Sequence, residues 1–315
     1  MTPRLRHAVI LALLSGLLVA LGGCGSTQTP TPRGSASASA SAPASPGSSA
    51  ASFVPIPITS EFHVGDNRVV FTLTDPGGQK QIAGPDRTLS IGYHGPSGES
   101  IAPSPQTFIW AIEGVNGVYA GRATFPTAGK WTADFITAAP GSAQEQLTFG
   151  FDVRDRANVI SPGDPAPSVD TPTLADVGGD VAKISSDTKP DADFYQVSEA
   201  DALAAKKPFV LIFATPKFCQ TATCGPTLDK LKPVAAAHPE MTFINVEPYE
   251  LKADGGSLQP VLDAGGNLTP VPATIAFKLS TEPYVFVVGA DGIVKSSFEL
   301  VFSPDEIEAA IKSVE

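Results

Sequence analysis

The chain has 315 residues, 42% of them hydrophobic and 17% charged, so it holds enough apolar material for folded cores and is neither wholly disordered nor collagen-like. Its 30 prolines and 29 glycines point to long linkers or turn-rich β structure. A formal net charge of -11 repels phosphate backbones, which excludes nucleic acid as the expected partner.

Arg4 and Arg6 precede an uncharged apolar run from Ala8 to Gly23, the n-region and h-region of a secretory signal. The run is shorter than the roughly 18 to 20 residues of a comfortable membrane span. It ends in Leu21-Gly22-Gly23-Cys24, which resembles the lipobox of bacterial lipoproteins. That resemblance implies cleavage before Cys24, a diacyl lipid on Cys24, and a protein anchored on the extracytoplasmic face of the cell membrane. Residues 1–23 are then the signal peptide. Residues 24–52 are the lipidated cysteine and a flexible Ser/Ala/Pro linker, because from Gly25 to Ser52 no aliphatic side chain exceeds alanine and a core is out of reach.

Over residues 53–155 the apolar pattern has period two. Val69, Phe71 and Leu73 alternate with Val70, Thr72 and Thr74, and Leu147, Phe149, Phe151 and Val153 repeat the pattern. Asp75-Pro76-Gly77-Gly78, Gly95-Pro96-Ser97-Gly98, Asn116-Gly117 and Pro140-Gly141 punctuate the strands as turns. Such a segment is expected to form an all-β immunoglobulin-like sandwich. Gly117-Val118-Tyr119, Phe125 and Gly129-Lys130-Trp131 resemble the pattern of small bacterial envelope sandwiches that sit beside metal-handling or redox modules. Copper ligation is not expected, since the segment has His63 and His94 but no methionine to supply a thioether.

Residues 156–192 are rich in Pro, Gly, Asp and Ser and read as a linker, with a short ordered piece near Leu174 to Ile184. Two independently folding bodies are therefore expected on either side. From residue 193 to 315 the pattern becomes alternating helix and strand. A short helix at Ser198-Glu199-Ala200-Asp201 is broken by Pro208 before the buried strand Phe209 to Phe213. Cys219 and Cys224 follow, and Gly225-Pro226 opens a helix with Leu228, Leu231 and Val234 on one face. Later come a strand at Met241 to Val246, an apolar run at Tyr284 to Val288, a hairpin at Asp291-Gly292 and a last helix from Pro304 to Val314.

This order resembles the thioredoxin fold, so the chain as a whole is expected to be an α+β multidomain protein, a β-sandwich followed by an α/β thioredoxin-like domain. Phe213-Ala214 leading to a cysteine, with Gly225-Pro226 beside the second one, is similar to that family's active-site region. Thr281-Glu282-Pro283 before an apolar strand is similar to its cis-proline loop. The resemblance implies thiol-disulfide exchange with a protein thiol or disulfide partner, with Cys219 as nucleophile, Cys224 as resolving thiol and Pro283 on the substrate side. The pair departs from the family in its Cys-x4-Cys spacing and in having Phe218 where the family has tryptophan. A cysteine preceding a helix N-terminus, with Lys217 nearby, suits the role of attacking thiolate.

The competing reading is a binding module whose cysteines form a permanent staple, as an oxidising compartment allows. The spacing also resembles a peroxiredoxin of the bacterioferritin-comigratory type, but no arginine occurs after Arg156 to polarise a peroxide. Copper-delivery proteins of the Sco type need a later histidine, and here only His238 follows. No cofactor is expected, and zinc is disfavoured because two thiols fall short of the roughly four ligands of a closed site.

Overall fold

The computed structural model describes residues 51–315, so the signal-peptide and Cys24 readings lie outside the described residues. The first half holds β1 (Val54–Pro57), β2 (Phe62–His63), β3 (Gly65–Thr74), β4 (Thr88–His94), β5 (Ser100–Pro105), β6 (Thr107–Ile112), β7 (Asn116–Phe125), β8 (Gly129–Ala138) and β9 (Glu145–Arg154). They build two sheets, ordered β1-β3-β7-β6 and β2-β9-β8-β4-β5. Period-two patterning decides which side chains go inward. Along β8, Trp131, Ala133 and Phe135 are buried while Lys130 and Thr132 face out. Phe71, Tyr93, Phe125, Trp131 and Phe135 meet between the sheets, and Phe71 packs edge-on to Phe135 at 4.9 Å.

Turn chemistry closes the hairpins. Asp75 accepts hydrogen bonds from the backbone N–H groups of Gln79 and Lys80, and Gly78 takes a φ of 66° that a larger residue would resist. Asn116-Gly117 is not the turn expected there: the reversal falls at Gly114, with a φ of 68°, and Gly117 is already paired in β7. Gly117 is small for a different reason, since the ring of Phe108 occupies the space its Cβ would need.

The second half holds α1 (Glu199–Ala204), β10 (Phe209–Phe213), α2 (Cys224–Ala237), β11 (Thr242–Val246), β12 (Leu251–Asp254), β13 (Ser257–Pro260), α3 (Pro272–Ala276), β14 (Tyr284–Val288), β15 (Val294–Glu299) and α4 (Pro304–Lys312). Its main sheet is ordered β11-β10-β14-β15. Both central strands, β10 and β14, are buried along their whole length, which their unbroken apolar runs require. Val210 and Ile212 face α2 and α4, whose Leu228, Leu231, Ile307 and Ile311 complete that layer. Phe209, Leu211 and Phe213 point the other way, onto Phe277, Ala202, Val159 and Ala166.

The expected fold class is corrected here. Among the described residues, fifteen strands stand against four α-helices, and α1 and α3 have six and five residues. Only β10 and β11 pair in parallel in the main sheet; the β10–β14 and β14–β15 pairs are antiparallel. Where an α/β arrangement needs a full helix before β14, the chain instead runs out into the β12–β13 hairpin and returns through one short turn of helix. The second face of the sheet is covered by α1, α3 and irregular chain, so the molecule is a β-rich fold without a clear α/β thioredoxin domain.

Residues 156–192, sequence-poor in large apolar groups, nonetheless lie along this sheet. Gly163 N–H donates to the Val294 carbonyl, Val294 N–H to Asp164 and Ala166 N–H to Gly292, while Leu174, Val181 and Ile184 pack on the α2 side. The sandwich also touches the second half. Arg68 makes a bidentate pair with Glu306 at 2.7 and 2.9 Å, Ser60 N–H donates to Glu299 and Lys230 donates to the Trp110 carbonyl. Val301 is buried among Val70, Ile109 and Val118.

Candidate functional site

The two cysteines stand where β10 hands over to α2. Strand β10 runs on into the fully buried Ala214 and Thr215, the chain turns through Pro216 to Thr223, and Cys224 begins the fourteen-residue helix. Ala222 accommodates a φ of 62° within that loop. Cys219 and Cys224 form a disulfide with Cα atoms 6.0 Å apart, inside the ordinary range for such bonds. They are unequal: Cys224 is completely buried, whereas Cys219 is part-exposed. The Cys224 backbone N–H donates to Cys219 Sγ at 3.2 Å, and Thr221 Oγ1 lies 3.4 Å from the same sulfur. The N–H of the first residue of α2 thus points toward the more accessible sulfur, an arrangement that favours a thiolate there.

Pro283 is buried at the head of β14, and the Glu282–Pro283 peptide bond is cis. The loop before it reaches the cysteine turn directly, because Thr221 Oγ1 donates to the Glu282 carbonyl at 2.7 Å and the Gln220 N–H donates to Glu282 Oε1 at 2.7 Å. Lys217 is turned away from the sulfur: its Nζ donates to the Leu258 carbonyl at 2.9 Å and lies over the Phe218 ring. His63 and His94 are engaged locally, with Val64 and Asp134 respectively.

Sequence reasoning assigned no role to three residues of this neighbourhood. Glu282 is 2% exposed, and its Oε2 accepts from the Tyr249 hydroxyl at 2.5 Å. Burial, then the Glu282 carboxylate, pushes the Tyr249 phenol up, so it stays a donor. Glu247 directly follows β11 and accepts from Ser186 N–H at 2.5 Å; burial pushes its carboxyl up to about 7. Glu247 and Tyr249 share the wall of a cavity of about 390 Å³ with Tyr195, Asn245, Val261 and Ala273. Only the adjacency of Glu282 to Pro283 hinted at its place; Glu247 and Tyr249 arrive through the parallel pairing of β11 with β10.

No family model matches the chain, and no curated protein does. Among solved structures, it is similar to a DUF4426 family protein of Pseudomonas aeruginosa, at 12% identity over 30% of this chain and 68% of that one, with a TM-score of 0.23. A likeness that low assigns neither fold nor activity, so the chemistry has to be read from the disulfide and its surroundings.

Proposed function

We propose that this chain is a membrane-anchored, extracytoplasmic thiol-disulfide exchange protein that works through Cys219 and Cys224. The observation that carries the reading is the asymmetry of the pair: one part-exposed sulfur receives an N–H from the first residue of a long helix, while its partner is sealed beneath it. In the reduced form, the Cys219 thiolate attacks one sulfur of a substrate disulfide, and the substrate's other sulfur leaves as a thiolate that takes a proton from water. Cys224, deprotonated in turn, attacks Cys219 Sγ, restores the intramolecular disulfide and releases the reduced substrate. The reverse sequence oxidises a substrate dithiol, and the redox poise of the partner sets the direction. The partner is a protein thiol or disulfide. The anchor in this reading is a lipid on Cys24, supported by the apolar run that precedes it and by the core-free composition of the segment that follows.

The test is a glutathione redox titration of the full chain, with trapping of partners on Cys224→Ser. Exchange chemistry predicts a potential above about -300 mV and mixed disulfides formed through Cys219. A potential far below that value, with no trapped species, would mean a permanent staple in a binding module.

A further inference from the structure

We propose that the reduced Cys219–Cys224 pair, together with Glu282, forms a binding site for a thiophilic divalent cation of the zinc class. The inference rests on the reading that this disulfide is opened in the protein's cycle. One sulfur of each cysteine and a carboxylate oxygen of Glu282 all lie within 4.8 Å of one another. Once the disulfide is open, two thiols and a buried carboxylate surround one point, a donor set that a divalent cation takes up together.

The geometry is within reach of such a site. Zinc holds sulfur at about 2.3 Å and carboxylate oxygen at about 2.0 to 2.2 Å in a tetrahedral shell, which sets ligand atoms roughly 3.5 Å apart. Opening the disulfide lets the sulfurs separate, and the carboxylate needs to close by only about 1 Å. The carboxylate is already held in place: Gln220 N–H donates to Oε1 and the Tyr249 hydroxyl to Oε2, the kind of outer support that fixes a ligating group. Cys219 and Gln220 reach the surface, so solvent has access to the cluster from that side. Two sulfur ligands disfavour magnesium and calcium, and a copper(I) ion satisfied by two thiolates would make no use of the carboxylate. Two thiols alone fell short of a zinc site; the third ligand comes from a loop 62 residues beyond Gln220 in the chain.

The step balances without a hidden reactant. A dithiol reductant delivers two electrons and two protons to the disulfide, giving two thiols and the oxidised reductant. The cation then displaces two protons to solvent as both Sγ–metal bonds form. Reoxidation by a disulfide withdraws two electrons from the thiolates and releases the cation.

The full chain, reduced and freed of reductant without oxygen, is titrated with cobalt(II), with zinc(II) as competitor. The expected result is one equivalent bound with a thiolate-to-cobalt charge-transfer band, displaced by zinc and missing from the oxidised protein. Glu282→Gln should weaken binding at least tenfold, and Tyr249→Phe, which removes the hydroxyl that holds Glu282 Oε2, several-fold. If Glu282→Gln does not fold, Tyr249→Phe decides. No charge-transfer band in the reduced protein, or an unchanged affinity in whichever variant folds, overturns the inference. A protein that exchanges disulfides normally but takes no cobalt overturns this inference alone. A pair that glutathione cannot reduce, yet binds cobalt after strong chemical reduction, overturns the exchange reading instead.

Discussion

The sandwich and the sheet that follows it bury different kinds of side chain. Between the sandwich sheets lie Phe71, Tyr93, Tyr119, Phe125, Trp131 and Phe135, and the buried polar residues there are Asn67, Thr72 and Thr137. The second half buries four carboxylates, Glu199, Glu247, Glu282 and Glu299, along with Asn245 and several hydroxyls. Burying an aromatic side chain stabilises a fold outright, whereas burying a carboxyl costs free energy unless hydrogen bonds compensate. Several of these groups are incompletely compensated, since one oxygen each of Glu199, Glu247 and Glu299 and the Asn245 Oδ1 make no hydrogen bond within the protein. The groups able to do acid-base or ligand chemistry are thus concentrated in the second region.

The contrast is broken most severely by Phe71→Ala. Removing a fully buried ring that packs on Phe62 and Phe135 should cost about 3 to 5 kcal/mol in denaturant unfolding. The alkylation rate of reduced Cys219 should stay at its wild-type value under native conditions; a parallel change in that rate would show that the sandwich tunes the cysteine site.

Glu247→Gln should act in the opposite direction. Its carboxyl is raised from 4.5 to about 7 by burial, so between those values the folded chain holds a proton that the unfolded chain has lost. Wild-type stability therefore falls as pH climbs from about 4.5 to about 7, with the full penalty above that. The neutral amide keeps an acceptor for Ser186 and removes the penalty. A gain of up to about 3 kcal/mol is expected at pH 8, vanishing near pH 4, and is checked by urea unfolding at both values.

Arg68→Ala probes the seam between the two regions. The bidentate pair with Glu306 is mostly shielded on the arginine side, and its loss should cost about 1 to 2 kcal/mol, less at high salt. Calorimetry should still give one transition, since Val301 and Lys230 also bridge the regions. Two resolved transitions in the variant would identify this pair as the tie between them.

The smallest effect concerns His238 at the C-terminal end of α2. A hydrogen bond to Glu308 raises its pKa despite partial burial, with Glu315 and Glu240 adding to the effect. A raised histidine contributes stability that is complete below its ordinary value near 6.5 and is lost as pH rises through the raised value. His238→Gln should cost less than about 1 kcal/mol at pH 5.5 and nothing at pH 9, and an NMR titration of the ring reads the shift itself.

Strand positions were legible in the sequence because period-two alternation and unbroken apolar runs are local consequences of burying one face or two. The runs at Phe209 to Phe213 and Tyr284 to Val288 became the central strands β10 and β14 for that reason. The cysteine spacing likewise determined that a disulfide could close in the loop before a helix, since five positions of chain bring the Cα atoms within range. Turns carried by Asp75-Pro76-Gly77-Gly78 were legible too, whereas Gly117 shows how a glycine serving packing imitates one serving a turn.

What surrounds the disulfide was decided only in three dimensions. Whether the chain between Val246 and Tyr284 would form a helical layer or a hairpin excursion depends on which segments cover the second face of the sheet, and Val159, Ala166 and Phe277 take that place. Segment 156–192 looked too polar to pack, yet backbone hydrogen bonds to Gly292 and Val294 hold it, and such bonds leave no mark in side-chain pattern. Glu282 is an ordinary exposed-type residue by composition; it becomes a buried neighbour of both sulfurs because antiparallel pairing of β14 with β10 brings its loop against the cysteine turn. Local periodicity records which face a residue turns inward, but not which distant residue it will meet there.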